Sequence, residues 1–256
     1  MGVNNNIGAQ SLLKRYNIKL KKYKNNIGNI YNQIKMSATN TISIYNSRKT
    51  ILDIFGEKRD LFENVGDYEN FNINEVEAMI KNDQLDMLFT RNSKNPVSHS
   101  VYVKYMITKS SSRIQGIQDL VEELFELEGV LTKSDTLIVI VNDEPNDSLV
   151  AKLCHLYDTL GIFVVVHNIK RLQRNILKHS LVPKHSVVHD VVLEDNAISE
   201  LEKVKQKYNL KSLSQLPEIS RFDPVALLIE MRPGQICKIE RSSITSVDSE
   251  YYRVCV

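Results

Sequence analysis

Residues 216–227 read Leu216-Pro217-Glu218-Ile219-Ser220-Arg221-Phe222-Asp223-Pro224-Val225-Ala226-Leu227. Asp223 is placed to cap a short helix that Pro224 opens, because proline is tolerated where the first helical amide has no partner. Just beyond, Arg232-Pro233-Gly234 reads as a turn, and Gln235 to Arg241 with Tyr251 to Val256 read as paired strands. Upstream lie Leu181-Val182-Pro183-Lys184-His185 and a stretch from Glu194 to Tyr208. In the latter, Ile198, Leu201, Val204 and Tyr208 share one helical face, with Glu194 and Asp195 at the favourable N-terminal end. Residues 181–256 are therefore expected to form a small α+β domain.

Working outward, a basic stretch over 171–180 (Arg171, Arg174, Lys178) is expected to act as a hinge. Before it, residues 41–170 alternate in type. A helix is expected from Ser43 to Lys58 and another from Glu75 to Asn82, capped by Asn74. Strands Asp86 to Asn92 and His99 to Thr108 flank a turn containing Asn95-Pro96. There follow a helix from Ile114 to Leu127, a strand Thr136 to Val141, a helix Asp147 to Leu160 and a strand Ile162 to His167. Strand, helix, strand at these lengths implies a crossover, hence an α/β domain with a partly parallel sheet.

The first 52 residues hold nine Lys or Arg and no Asp or Glu, leaving 24 basic and 31 acidic residues for the rest of a chain whose net charge is +2. Within this arm Leu13, Tyr16, Leu20, Tyr23, Ile27, Ile30 and Ile34 recur at alternating spacings of three and four. That stripe predicts a basic helical extension over 1–40, with Gly28 and many asparagines making it dependent on a surface to lie on. Met36 to Asn40 is expected to be a linker.

Apolar runs such as Thr136 to Val141 are far short of the roughly 20 residues of a membrane helix, so no membrane partner is expected. Met1-Gly2 begins like a myristoylation signal, but Asn6 stands where Ser or Thr is wanted. Cys154, Cys237 and Cys255 have no paired spacing and are read as apolar packing. His179, His185 and His189 lack the cysteine or carboxylate that would complete a metal set.

The fixed order of motifs from Leu181 to Cys255 resembles the C-terminal assembly domain of the fifth subunit shared by the eukaryotic nuclear RNA polymerases, which has a counterpart in the archaeal enzyme. The resemblance is close over Asn175 to Val256 and one of layout over Thr41 to Lys170, where Asp86-Met87-Leu88-Phe89 and Ser100-Val101-Tyr102-Val103 stand as the hairpin strands. It implies a non-catalytic polymerase subunit with a nuclease-like jaw over 41–170 beside downstream DNA. The domain over 181–256 would then dock on the largest subunit. Implied interface residues are Pro183, Lys184, His185, Arg221, Asp223, Pro224, Gly234, Lys238, Arg241, Tyr252 and Arg253. Pro145, Arg171 and Arg174 are implied to lie near DNA, although the three acids around Pro145 would repel phosphate. The holoenzyme's magnesium would be held by its large subunits, so this chain is expected to bind no cofactor and no small-molecule substrate.

A nuclease of the jaw's type would need an acid on one strand and an acid-x-Lys on the next. Asp86 and Lys104 fit, but Tyr102 stands where the second acid belongs, and a phenol is a poor magnesium ligand. The remaining rival is a free-standing nucleic-acid-binding protein whose arm supplies salt-sensitive affinity. The abundance of Asn, Lys and Ile fits an AT-rich genome, either a large DNA virus or a protist. The expected location is the virion and host cytoplasm in the first case and the nucleus in the second.

Overall fold

The computed structural model describes residues 40–107, 114–190, 199–242 and 247–256. The expected arm and linker lie outside them except for Asn40, and so does the start of the helix expected from Glu194.

Helix α1 covers residues 40–56, and α2, Ile73–Lys81, follows a one-turn helical stretch at Val65–Tyr68. The cap of α2 is Asn72 rather than Asn74: its side chain accepts from the Glu75 amide while the Glu75 carboxylate accepts from the Asn72 amide. Both asparagines have a glutamate three residues on, Glu75 and Glu77, and it is the Asn72–Glu75 pair that closes reciprocally and satisfies two amides at once.

Strand β1, Met87–Phe89, pairs antiparallel with β2, Val101–Met106. Helix α3, Ile114–Val121, then loosens into a π-helical turn at Glu122–Leu127. Next come β3 (Thr136–Val141), α4 (Asp147–Leu160) and β4 (Phe163–Asn168). β2, β3 and β4 are parallel, so the sheet order is β1-β2-β3-β4. The Asn146 side chain caps α4, and Gly161 ends it at φ 73°, a conformation glycine adopts without a Cβ penalty.

β3 and β4 are buried at every position, because both faces of the sheet are covered. Alternation divides them. Ile138, Ile140, Phe163 and Val165 face α1 through Ile44, Ile51 and Phe55. Leu137, Val139, Val164 and Val166 face α3 and α4 through Ile117, Leu120, Leu149 and Leu153. Each such side chain contributes about 1.5–3 kcal/mol of burial.

The second sheet contains β5 (Lys184–Val188), β6 (Glu218–Ile219), β7 (Ile236–Arg241) and β8 (Ser249–Cys255), in the order β5-β7-β8-β6. β7 is antiparallel to both β5 and β8, and β6 lies parallel to β8. α5 (Glu200–Lys207), capped by Ser199, and α6 (Pro224–Leu228) complete the domain. Its small core is Ile219, Ala226, Met231, Cys237, Ile239 and Cys255. All three cysteines are free thiols, and burial pushes Cys237 and Cys255 up to about 11, so both are inert.

The stretch expected as a hinge is pinned instead. Leu172 is buried in the first core, the Gln173 amide donates to the Ser43 carbonyl, and Lys178 pairs with Asp53 and Glu57. Lys178 finds its acids at the end of α1 and just beyond it, and Leu172 supplies the apolar anchor. No helix among the described residues is long and apolar enough to cross a membrane.

Candidate docking site

A groove of about 550 Å³ opens beside the second sheet. Its floor is apolar, with Ile219 of β6, Val225 of α6 and Ile239 of β7, and its walls are Pro183, His185, Asp223 and Tyr251. Arg241 and Arg253 stand among its lining residues. Leu181, 85% exposed, marks its mouth.

Local rules build these walls. Asp223 Oδ1 accepts from the amides of Val225 (2.9 Å) and Ala226 (3.4 Å), which spends that oxygen on α6. Gly234 holds φ 86° in the turn before β7, and its amide donates to the Cys255 carbonyl at 2.9 Å. His185 Nδ1 lies 2.6 Å from the Pro183 carbonyl, and an Arg253 guanidinium nitrogen donates to the Glu218 carbonyl at 3.1 Å.

Of the residues expected at an interface, Pro183, His185, Asp223, Arg241, Tyr252 and Arg253 line this groove. Pro224 is exposed at the start of α6. Lys184 is exposed and pairs with Glu240. Lys238 joins a charged ladder with Glu240 and Glu250, which Lys207 of α5 extends. Hydrogen bonds from Lys207 and Lys238 hold the Glu250 carboxyl down at about 2.

Arg221 is directed elsewhere. It is 5% exposed, and its guanidinium lies 5.2 Å from the ring centres of Tyr157, Phe163 and Phe222. Arg232 turns the same way, donating to the Ser134 and Asp135 carbonyls and lying 5.1 Å from the Phe163 ring. Both arginines bind the second domain to the first.

The residues expected near DNA come together in part. Arg171 pairs with Glu144 at 2.8 Å beside Pro145, so the acidic loop consumes one of the two expected cations. Arg174 is exposed and apart. Asp86, Tyr102 and Lys104 also converge: Lys104 Nζ is 2.5 Å and the Tyr102 hydroxyl 3.1 Å from Asp86 Oδ2. One carboxylate already bound by an ammonium and a phenol is no two-acid metal site. Among the described residues no three His, Cys, Asp or Glu side chains are grouped to hold a metal ion.

Sequence reasoning missed Glu230 altogether. Its side chain is 2% exposed and receives Lys58 Nζ at 3.1 Å, with His99 Nε2 at the same distance. Burial alone would raise this carboxyl, but Lys58 and the His99 hydrogen bond outweigh it and hold it at about 2. A lone glutamate after an apolar helix reads as a solvated helix end, and its partners lie 131 and 172 residues away.

Residues 174–255 match the family model described as "RNA polymerase Rpb5, C-terminal domain". The DNA-directed RNA polymerase subunit Rpo5 of Methanococcus maripaludis strain C7 is 36% identical over 78 residues, which is 30% of this chain and 88% of that protein. The Aeropyrum pernix subunit of the same name is 36% identical over 87 residues (34% and 87%), and that of Staphylothermus marinus 38% over 86 (34% and 85%).

Proposed function

Because the chain belongs to the Rpb5/Rpo5 family of RNA polymerase subunits, we propose that its second domain docks on the largest subunit of a DNA-directed RNA polymerase while its first forms part of the jaw around downstream DNA. The chain itself is a non-catalytic component of the enzyme. The magnesium-dependent nucleotide transfer would use carboxylates of the large subunits. The protein would then be found wherever its polymerase is, in the nucleus of a cell or in the virion and host cytoplasm of a virus.

The observation that carries the docking reading is the groove. Six residues of the matched segment surround an open apolar floor. An apolar patch rimmed by polar groups fits a protein partner, and the arginines favour one that brings acidic side chains. The jaw reading rests on the layout of the first domain.

The test is to place charges in the groove rather than to delete the domain, since Leu228 and Phe222 belong to the cores of the first domain. Leu181→Asp with Tyr251→Asp in a tagged full chain should abolish recovery of the largest subunit. Full recovery would remove the groove from the interface.

A further inference from the structure

The two domains meet along the outer edge of β4. Leu228 of α6 joins the core under α1, and Phe222 packs on the core under α3 and α4. The second domain thus covers the edge strand that the first sheet leaves unpaired among the described residues.

At this seam stands Glu230, buried and at φ 57°, a backbone conformation that residues with a side chain rarely adopt. One carboxylate oxygen receives Lys58, which follows α1. The other faces His99, which precedes β2. A single side chain of the second domain is therefore held at once by the chain leaving a helix and the chain entering a strand of the first. An unpaired carboxylate here would be costly, so any rotation of one domain on the other must break both contacts together. Apolar side chains would cover the seam at least as stably but would let it slide, whereas a charge with two fixed partners accepts one arrangement.

We propose that Glu230, with Lys58 and His99, is a charge lock that fixes the angle between the two domains, so that a partner gripping the second domain also aims the first. The consequence for aim rests on the docking reading above; the lock itself does not. Arg232 on the Ser134 and Asp135 carbonyls holds the two domains together as well.

The experiment is hydrogen–deuterium exchange on the isolated full chain, comparing wild type with Glu230→Gln, which keeps shape and loses charge, and with Lys58→Met. Exchange in Phe163–Asn168 and Pro224–Leu228 should rise roughly tenfold in both variants, as local opening of the seam demands. Thr136–Val141 and the β7–β8 pair should keep their protection. Unchanged exchange at the seam in both variants, or an equal rise throughout the chain, would overturn the lock. Both variants should also still recover the largest polymerase subunit, because the groove is untouched. Failure of the wild type to recover it would sink the docking reading alone.

Discussion

The Arg221 guanidinium, carried by the second domain, lies 5.2 Å from the centre of the Phe163 ring in β4 of the first. Tyr157 and Phe222 stand at the same distance, so a charge is enclosed by three rings and largely removed from water. A desolvated cation over an aromatic face contributes about 2 kcal/mol, and lysine cannot reproduce the planar stacking. Arg221→Ala is expected to lower the stability of the full chain by about 2–3 kcal/mol and Arg221→Lys by somewhat less, read from urea unfolding. A loss below about 0.5 kcal/mol would show that the enclosure contributes little.

Asp223 offers a narrower test. Its carboxylate caps α6, so Asp223→Ala should cost about 1 kcal/mol while Asp223→Asn, which keeps an accepting oxygen, costs little. Equal losses for the two would mean that the charge, not the cap, matters at this position.

Acid should weaken the fold through His167. The side chain is buried on β4, and burial pushes its pKa down to about 4 from an ordinary 6.5. The unfolded chain therefore takes up the proton first. Stability is complete above pH 6.5 and falls as pH drops towards 4, by about 3 kcal/mol at most. The Glu230 contribution has the other origin and a lower window, present above the ordinary 4.5 and lost as pH falls towards 2. Urea unfolding between pH 7 and 4 should show a slope that His167→Gln flattens. An unchanged slope in that variant would assign it to other groups.

In the groove, Leu181→Asp alone should leave stability within about 0.5 kcal/mol, since the residue is 85% exposed. Its effect should appear in association instead. Thermal unfolding and co-purification measured on the same preparation separate the two, and a large drop in melting temperature would contradict the exposed placement.

Much of the fold was legible because its signals are local. Thr136–Val141, an unbroken apolar run, and Asp147–Leu160, which the structure shows capped by Asn146 and closed by Gly161, have the bounds expected. The cap of α2 was ambiguous, since Asn72 and Asn74 each precede a glutamate by three residues, and only the structure shows that Asn72 closes the pair with Glu75. β5 was harder. Lys184–Val188 pairs with β7 about fifty residues later, so no hairpin turn announces it. Of the site, the motif order brought Pro183, His185, Asp223, Arg241, Tyr252 and Arg253 to one groove. What sequence could not show was direction: Arg221 and Arg232 turn inward onto Tyr157, Phe163 and the Asp135 carbonyl, partners that lie far away in the chain.

Docking into a working polymerase through the groove is tested most directly by affinity purification of the tagged full chain from its native source, with mass spectrometry of what accompanies it. Recovery of the two large polymerase subunits in near-equal amounts, lost in the Leu181→Asp, Tyr251→Asp variant, is the expected result. Recovery of the chain alone, or with nucleic acid and no large subunit, would contradict it.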